Sequence, residues 1–136
     1  MPQRSGRAWF KPMRGAHRKR GRAGERVAAK HLKKKGYRIL SRNVRSRHGE
    51  IDLIVIAPNG TLVAVEVKAG AVNPAFPPEL HVTPAKQRKI VALTAGLARR
   101  HRLTGRRWRF DVIAVEFPEA GKPVVRHFEG AFQAHV

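Results

Sequence analysis

The sequence predicts an α/β sandwich in which one mixed β-sheet of about five strands carries helices on its faces. Three observations support this. Residues 24–35 and 84–100 place apolar side chains at helical spacing, whereas residues 37–40, 49–68, 107–117 and 124–128 are β-branched runs or alternate with a period of two. The resulting order is helix, strand, hairpin, helix, strand, strand. At 136 residues and 42% hydrophobic, the chain is long enough for one domain with a core and too short for two.

Residues 1–23 hold eight lysines or arginines, no acid, and several Gly and Pro, and read as a basic, disordered arm ahead of a domain spanning 24–136. Trp9 and Phe10 in this arm either stack on bases or are incidental or pack weakly on the domain. The first helix has Gly36 as its natural stop. Ala28, Ala29 and Leu32 follow Glu25 by three, four and seven residues, so Glu25 shares their face. It either complements the helix dipole from the first turn or points inward. Lys33, Lys34 and Lys35 form a solvated charge run or line a phosphate track.

After the short strand 37–40, residues Arg42, Asn43, Arg45, Arg47 and His48 read as a basic connector into the hairpin. Residues 69–82 carry three prolines and no periodicity, and read as a long loop. Thr83 then supplies an N-cap and Pro84 a first helical residue, with Ile90, Val91, Leu93, Thr94, Leu97 and Ala98 facing the core. Lys86, Arg88 and Lys89 occupy the first turns, where the dipole favours acids; contact with an anion explains them better than helix stability. In the strand 107–117, Trp108, Phe110, Val112 and Ala114 fall on one face and Arg109, Asp111, Ile113 and Val115 on the other. Residues 124–128 read as the last strand, with Ala131 and Phe132 packing the end.

The hairpin 49–68 carries the chemistry. Pro58-Asn59-Gly60 between two apolar runs predicts a three-residue loop, with Pro at the first corner and Gly in the left-handed position. That register pairs Ala57 with Thr61 and sets Asp52 opposite Glu66; the period of two adds Glu50 and Lys68 to the same face. Like charges on directly opposed residues, with β-carbons roughly 5 Å apart, destabilise a sheet unless a cation lies between them. Lys68 is one such partner and a divalent metal is the other. Only nine residues in the chain are acidic, and three of them, Glu50, Asp52 and Glu66, lie within this span.

A hard cation such as Mg²⁺ or Mn²⁺ takes oxygen ligands. Asp52 and Glu66 could bridge it across the strands, with the backbone carbonyl of Val67 as a further ligand. Lys68 could then position an attacking water or stabilise charge on a phosphate, and its acidic neighbours should hold it charged. Seven scattered histidines lack metal-binding spacing, and there is neither a Gly-rich phosphate loop nor a Gly-x-Ser-x-Gly elbow. Asp111 either joins the site or pairs with a neighbouring arginine.

Lysines and arginines number 29 against nine acids, a formal charge of +20, and the span 24–136 alone retains +12. Such a balance points to nucleic acid, with a ribosomal or anionic membrane surface behind it. The absence of cysteine excludes disulfides, thiolate nucleophiles and cysteine-ligated zinc. No apolar run approaches 18 residues and the first 23 lack a signal peptide's hydrophobic centre, so the expectation is a cytoplasmic protein outside the membrane.

The Asp, then Glu-x-Lys, pattern across a hairpin, preceded by a helical acid, resembles the PD-(D/E)xK nuclease superfamily. The chain is more closely similar to the small bacterial YraN-type proteins, distant relatives of archaeal Holliday-junction resolvases. The matching stretches are Gly24-Glu25, Leu32, Gly36-Tyr37, Arg42-Asn43, Gly49 to Ile54, Val65 to Lys68, Lys86, Arg109 to Val112, and Ala131-Phe132. The resemblance implies a restriction-endonuclease-like core with Asp52 and Glu66 as metal ligands, Lys68 as catalytic lysine and Glu25 as auxiliary acid. Two positions depart from the family pattern: Gly70 stands where an arginine is common, and Gly130 where an asparagine is.

The expected function is therefore metal-dependent hydrolysis of phosphodiester bonds in structured or branched DNA. Glu25, Glu50, Asp52, Glu66 and Lys68 form the site, and Arg42, Arg45, Arg47, Lys86, Arg88 and Lys89 contact nucleic acid. The alternative is a non-catalytic binding module for DNA or RNA that keeps the fold, its acids forming a salt-bridge network with Lys68 and Arg109. By analogy with junction resolvases, a homodimer is the expected assembly.

Overall fold

A computed structural model of the chain describes residues 18–70, 82–134 and 136. Helix α1 (Arg18–Lys34) is followed by β1 (Arg38–Ser46), β2 (Gly49–Ile56) and β3 (Leu62–Gly70), then α2 (Pro84–Arg100), β4 (Trp108–Glu116) and β5 (Val124–Phe132). The strands form one sheet in the order β1-β2-β3-β4-β5. β3 and β4 are parallel, and the other three pairings are antiparallel. This is the expected mixed α/β sheet flanked by helices, consistent with a restriction-endonuclease-like core.

The alternation of the central strands divides the apolar residues between two cores. Leu53, Val55, Val63, Val65, Ile113 and Val115 pack with Ala28, Ala29 and Leu32 of α1. Ile54, Ala64, Phe110 and Val112 pack with Ile90, Leu93 and Leu97 of α2. Both faces of the sheet are therefore buried, one under α2, the helix of the parallel β3–α2–β4 crossover, and the other under α1.

Helix α1 begins at Arg18, so six residues assigned to the basic arm are helical; residues 1–17, with Trp9 and Phe10, lie outside the described residues. Its end is the expected one. Gly36 adopts φ +90 and donates to the Lys33 carbonyl, while Tyr37 N–H donates to that of Leu32. These paired bonds close the helix in a Schellman arrangement.

The hairpin turn also has the predicted form. Ala57 N–H donates to Thr61 O and Gly60 N–H to Ala57 O, both at 2.8 Å, with Gly60 at φ +90. The ladder runs Ile56↔Leu62 through Leu53↔Val65, which is the predicted register.

Two expectations are corrected. The basic connector is strand: β1 continues through Ser46 and pairs with β2 as far as Ser46↔Gly49. Edge strands tolerate exposed charge, which hid this one. The final strand extends past Phe128 to Phe132 through an irregularity opposite Asp111, where Gly130 adopts φ +61. Asparagine is the residue other than glycine that enters this region most readily, so the departure at position 130 preserves the backbone.

Candidate active site

The acidic end of the hairpin is built around a break in the sheet. Leu53 and Val55 face α1, yet Ile51 and Ile54 both face α2, so strict alternation is lost at Asp52. On β1, Arg42 opposes Leu53, whereas Val44 opposes Ile51 and belongs to the α2 core. The intervening pair, Asn43 with Asp52, is missing from the ladder, and Asn43 adopts φ +53. Both strands thus change facing at one point. The expectation that a period of two carries Glu50 onto the face of Asp52 does not hold across it.

The β2–β3 ladder also ends there. Continued alternation of bonded pairs would send Val67 N–H to the backbone carbonyl of Ile51. Instead it donates to Asp52 Oδ2 at 2.7 Å. The Asp52 side chain therefore stands between the parting strands. A residue's N–H and C=O point to the same side of a strand, so the Val67 carbonyl is directed into the same gap.

Glu66 lies one residue earlier on β3 and is 7% exposed. Its Oε2 is 2.6 Å from Lys86 Nζ and 3.6 Å from Lys68 Nζ. Its Oε1 is buried and meets no hydrogen-bond partner among the described residues. Burial raises the Asp52 carboxyl well above the ordinary range; Glu66, Glu25 and Glu50 raise it further, against the lowering hydrogen bond from Val67.

Glu25 is the eighth residue of α1, outside the first turn, which removes the helix-dipole account. It is half-buried, hydrogen-bonded to the Asn43 side chain, and a charge neighbour of Glu50, Arg42 and Glu66. Burial raises its pKa, the Asn43 hydrogen bond opposes that, and Glu50 adds to it. The inward orientation is therefore the observed one.

For Lys68 the expected direction is reversed: burial and the repulsion of Lys86 lower its pKa against the attraction of Glu66. Burial would also lower Lys86, but the charge and hydrogen bond of Glu66, aided by Lys68 and Asp52, raise it.

The expected nucleic-acid contacts separate into three groups. Arg42 faces α1 beside Glu25. Arg45, Arg47 and Lys89 line an open hollow of about 280 Å³ with His48, Gly49 and Glu50, at the tip of the β1–β2 hairpin, and Arg88 is exposed nearby on α2. Lys86 is the exception, because its ammonium turns into the acidic site. Its position in the first turn, against the dipole, was the sequence signal for a bound anion, and the anion proves to be Glu66.

Asp111 does not join this site. It opposes Val65, on the α1 face, and accepts hydrogen bonds from Arg109 Nε at 2.9 Å and Gly130 N–H at 3.0 Å. His127 Nε2 lies 2.7 Å from it, and Arg109 also donates to the Tyr37 hydroxyl at 2.7 Å. Burial would raise the Asp111 carboxyl, but hydrogen bonds from His127, Arg109 and Gly130 lower it overall. Pairing with an arginine, one of the two readings of this residue, is what the fold contains.

Oxygen chemistry suits the site better than nitrogen or sulfur chemistry. Among the described residues no three His, Asp or Glu side chains converge closely enough to ligate one ion unaided. Mg²⁺ commonly uses one or two protein carboxylates and completes its shell with carbonyls, water or phosphate. Glu66 Oε1, buried and without a partner among the described residues, the enclosed Asp52 and the Val67 carbonyl fit that donor set.

Comparison with known proteins gives one consistent result. The model of uncharacterised protein family UPF0102 matches residues 24–115. A UPF0102 protein of Pelobacter propionicus is 40% identical over 118 residues, covering 86% of this chain and 84% of its own. One of Anaeromyxobacter dehalogenans is 44% identical over 112 residues, covering 82% of each. Among solved structures, Pyrococcus furiosus SfsA in complex with Ca²⁺ covers 88% of this chain and 74% of its own at TM-score 0.36 and 16% identity, a likeness too distant to bear on the site. No helix among the described residues is long and apolar enough to cross a membrane.

Proposed function

Because this chain belongs to the UPF0102 (YraN-type) family, whose model spans the acidic site from Glu25 to Lys68, we propose that the family's shared core is a divalent-metal-dependent phosphodiesterase acting on structured or branched DNA. The observation that supports this reading is the parting of β2 and β3 at Asp52, beside which the buried carboxylates of Asp52 and Glu66 lie close enough to act on each other, with the Val67 N–H on Asp52 and Lys68 beside Glu66.

Asp52, Glu66 and the Val67 carbonyl would hold Mg²⁺ or Mn²⁺, which supplies activation of water and neutralises charge at the phosphate. Lys68 orients the nucleophile or stabilises charge developing on a phosphate oxygen. The lowered pKa of Lys68 makes its proton easier to give up than an exposed lysine's. Glu25, held by Asn43, and Glu50 add negative potential that favours a cation in the gap. Arg45, Arg47, Arg88 and Lys89 lie on elements adjoining the site and suit a phosphate backbone tracking past it.

The test is cleavage of four-way junction, flap, duplex and single-stranded DNA with Mg²⁺ or Mn²⁺. Cleavage that a chelator abolishes, and that Asp52→Ala and Lys68→Ala abolish while binding persists, establishes the enzyme. A second reading, a non-catalytic nucleic-acid-binding module, is favoured by the Lys86–Glu66 ion pair, which neutralises the site without a metal. No cleavage of any substrate, with binding unchanged in both variants, leaves that reading alone.

A further inference from the structure

One carboxylate, Glu66, faces two ammonium groups from different elements. Lys68 belongs to the same strand and lies 3.6 Å away; Lys86 reaches across from α2 and makes the 2.6 Å contact. Lys86 is the third residue of its helix, and its own backbone N–H is held by the Thr83 side chain at 3.1 Å. A lysine in the first turn is disfavoured by the helix dipole, so the Glu66 contact is what holds the side chain inward. The same carboxylate keeps Oε1 buried and, among the described residues, without a hydrogen-bond partner.

We propose that Lys86 is a resident counter-ion at Glu66 that yields its place to a divalent cation and transfers to the substrate phosphate, coupling metal binding to nucleic-acid binding. This inference rests on the metal-dependent reading above.

A divalent ion held by Glu66 would share that one carboxylate with the Lys86 ammonium. Two cations on one carboxylate in a partly enclosed site repel strongly. Lys68 is anchored in the sheet, whereas the Lys86 side chain is 35% exposed on a helix surface and can swing outward. A phosphate in the gap offers that ammonium a replacement anion. Metal disfavours the Lys86–Glu66 pair and phosphate accepts the released lysine, so each ligand favours the other, and the coupling is reciprocal.

The test is Mn²⁺ titration by isothermal calorimetry into wild type, Lys86→Gln, and Arg100→Gln, which makes the same charge change at the exposed far end of the same helix. Circular dichroism and thermal melting verify folding. The expected result is that Lys86→Gln binds Mn²⁺ roughly tenfold more tightly than wild type, within the usual range of site-to-site coupling, with Arg100→Gln nearly unchanged. In fluorescence anisotropy, Mn²⁺ should tighten binding of a short DNA duplex by wild type and do so less for Lys86→Gln. Equal Mn²⁺ affinity in all three proteins overturns the counter-ion role and leaves the metal site standing. No Mn²⁺ binding by any of them overturns the metal-dependent reading itself, and this inference with it.

Discussion

Gly24 of α1 lies so close to Ala69 of β3 that a Cβ added to the glycine would stand 2.5 Å from the alanine Cβ. Glu25 is the next residue, so this approach sets how deeply its carboxylate reaches towards Asp52 and Glu66. Replacing a mid-helix glycine by alanine ordinarily stabilises a protein by about 1 kcal/mol. Here the sign should reverse, because the new methyl overpacks against the strand, and Gly24→Ala should cost about 1–3 kcal/mol in urea unfolding. The double variant Gly24→Ala/Ala69→Gly should recover part of that loss. Additive losses would show that the contact is not what makes Gly24 necessary.

Asp52 should make the protein less stable as pH rises. Burial and the charges of Glu66, Glu25 and Glu50 raise its pKa in the fold well above the ordinary 3.8. Between the unfolded and folded values the native state binds the extra proton, so this group's contribution favours folding at low pH and is lost as pH rises through the folded value. Asp52→Asn keeps an acceptor for Val67 N–H and removes the charge. In the absence of divalent metal it should therefore be more stable than wild type at pH 8, with the difference shrinking towards pH 4. Unfolding midpoints across that range measure it; a variant less stable than wild type at pH 8 contradicts the assignment.

Asp111 should behave in the opposite way. Its carboxyl lies below the ordinary value of 3.8, held down by His127, Arg109 and Gly130 N–H. That contribution is present above the unfolded pKa and is lost as pH falls through the folded one. Its side chain is fully buried, and Asp111→Ala strands its partners, so the loss at pH 7 should be about 3 kcal/mol. The deficit relative to wild type should narrow below pH 3.8. A variant as stable as wild type at pH 7 would remove the structural role assigned to this aspartate.

Gly70 should accept the arginine that the family resemblance leads one to expect at this position. Its backbone is not in the left-handed region, and a Cβ there meets nothing within 4 Å among the described residues. Gly70→Arg should leave the melting temperature nearly unchanged. It should also steepen the salt dependence of DNA binding by about one phosphate contact. An unchanged slope would place the added guanidinium away from the bound backbone.

The sequence by itself determined the class of the fold, the order of its elements, the hairpin register and the inclusion of Asp52, Glu66 and Lys68 in one locality. These follow from short-range rules: a three-residue turn sets pairing, and pairing sets which side chains oppose one another. It did not reveal β1 as a long strand, because an edge strand can carry arginines and because the left-handed Asn43 interrupts the alternation by which strands are recognised.

Tertiary structure alone decided the rest. The inward turn of Glu25 depends on packing between α1 and β3, and the exclusion of Asp111 on which face of β4 it occupies beside His127 and Gly130. The 2.6 Å bond between Lys86 and Glu66 joins residues twenty positions apart through the packing of α2 on the sheet. Local pattern specifies which residues a strand or helix presents, whereas which charge meets which across elements is set by how those elements pack.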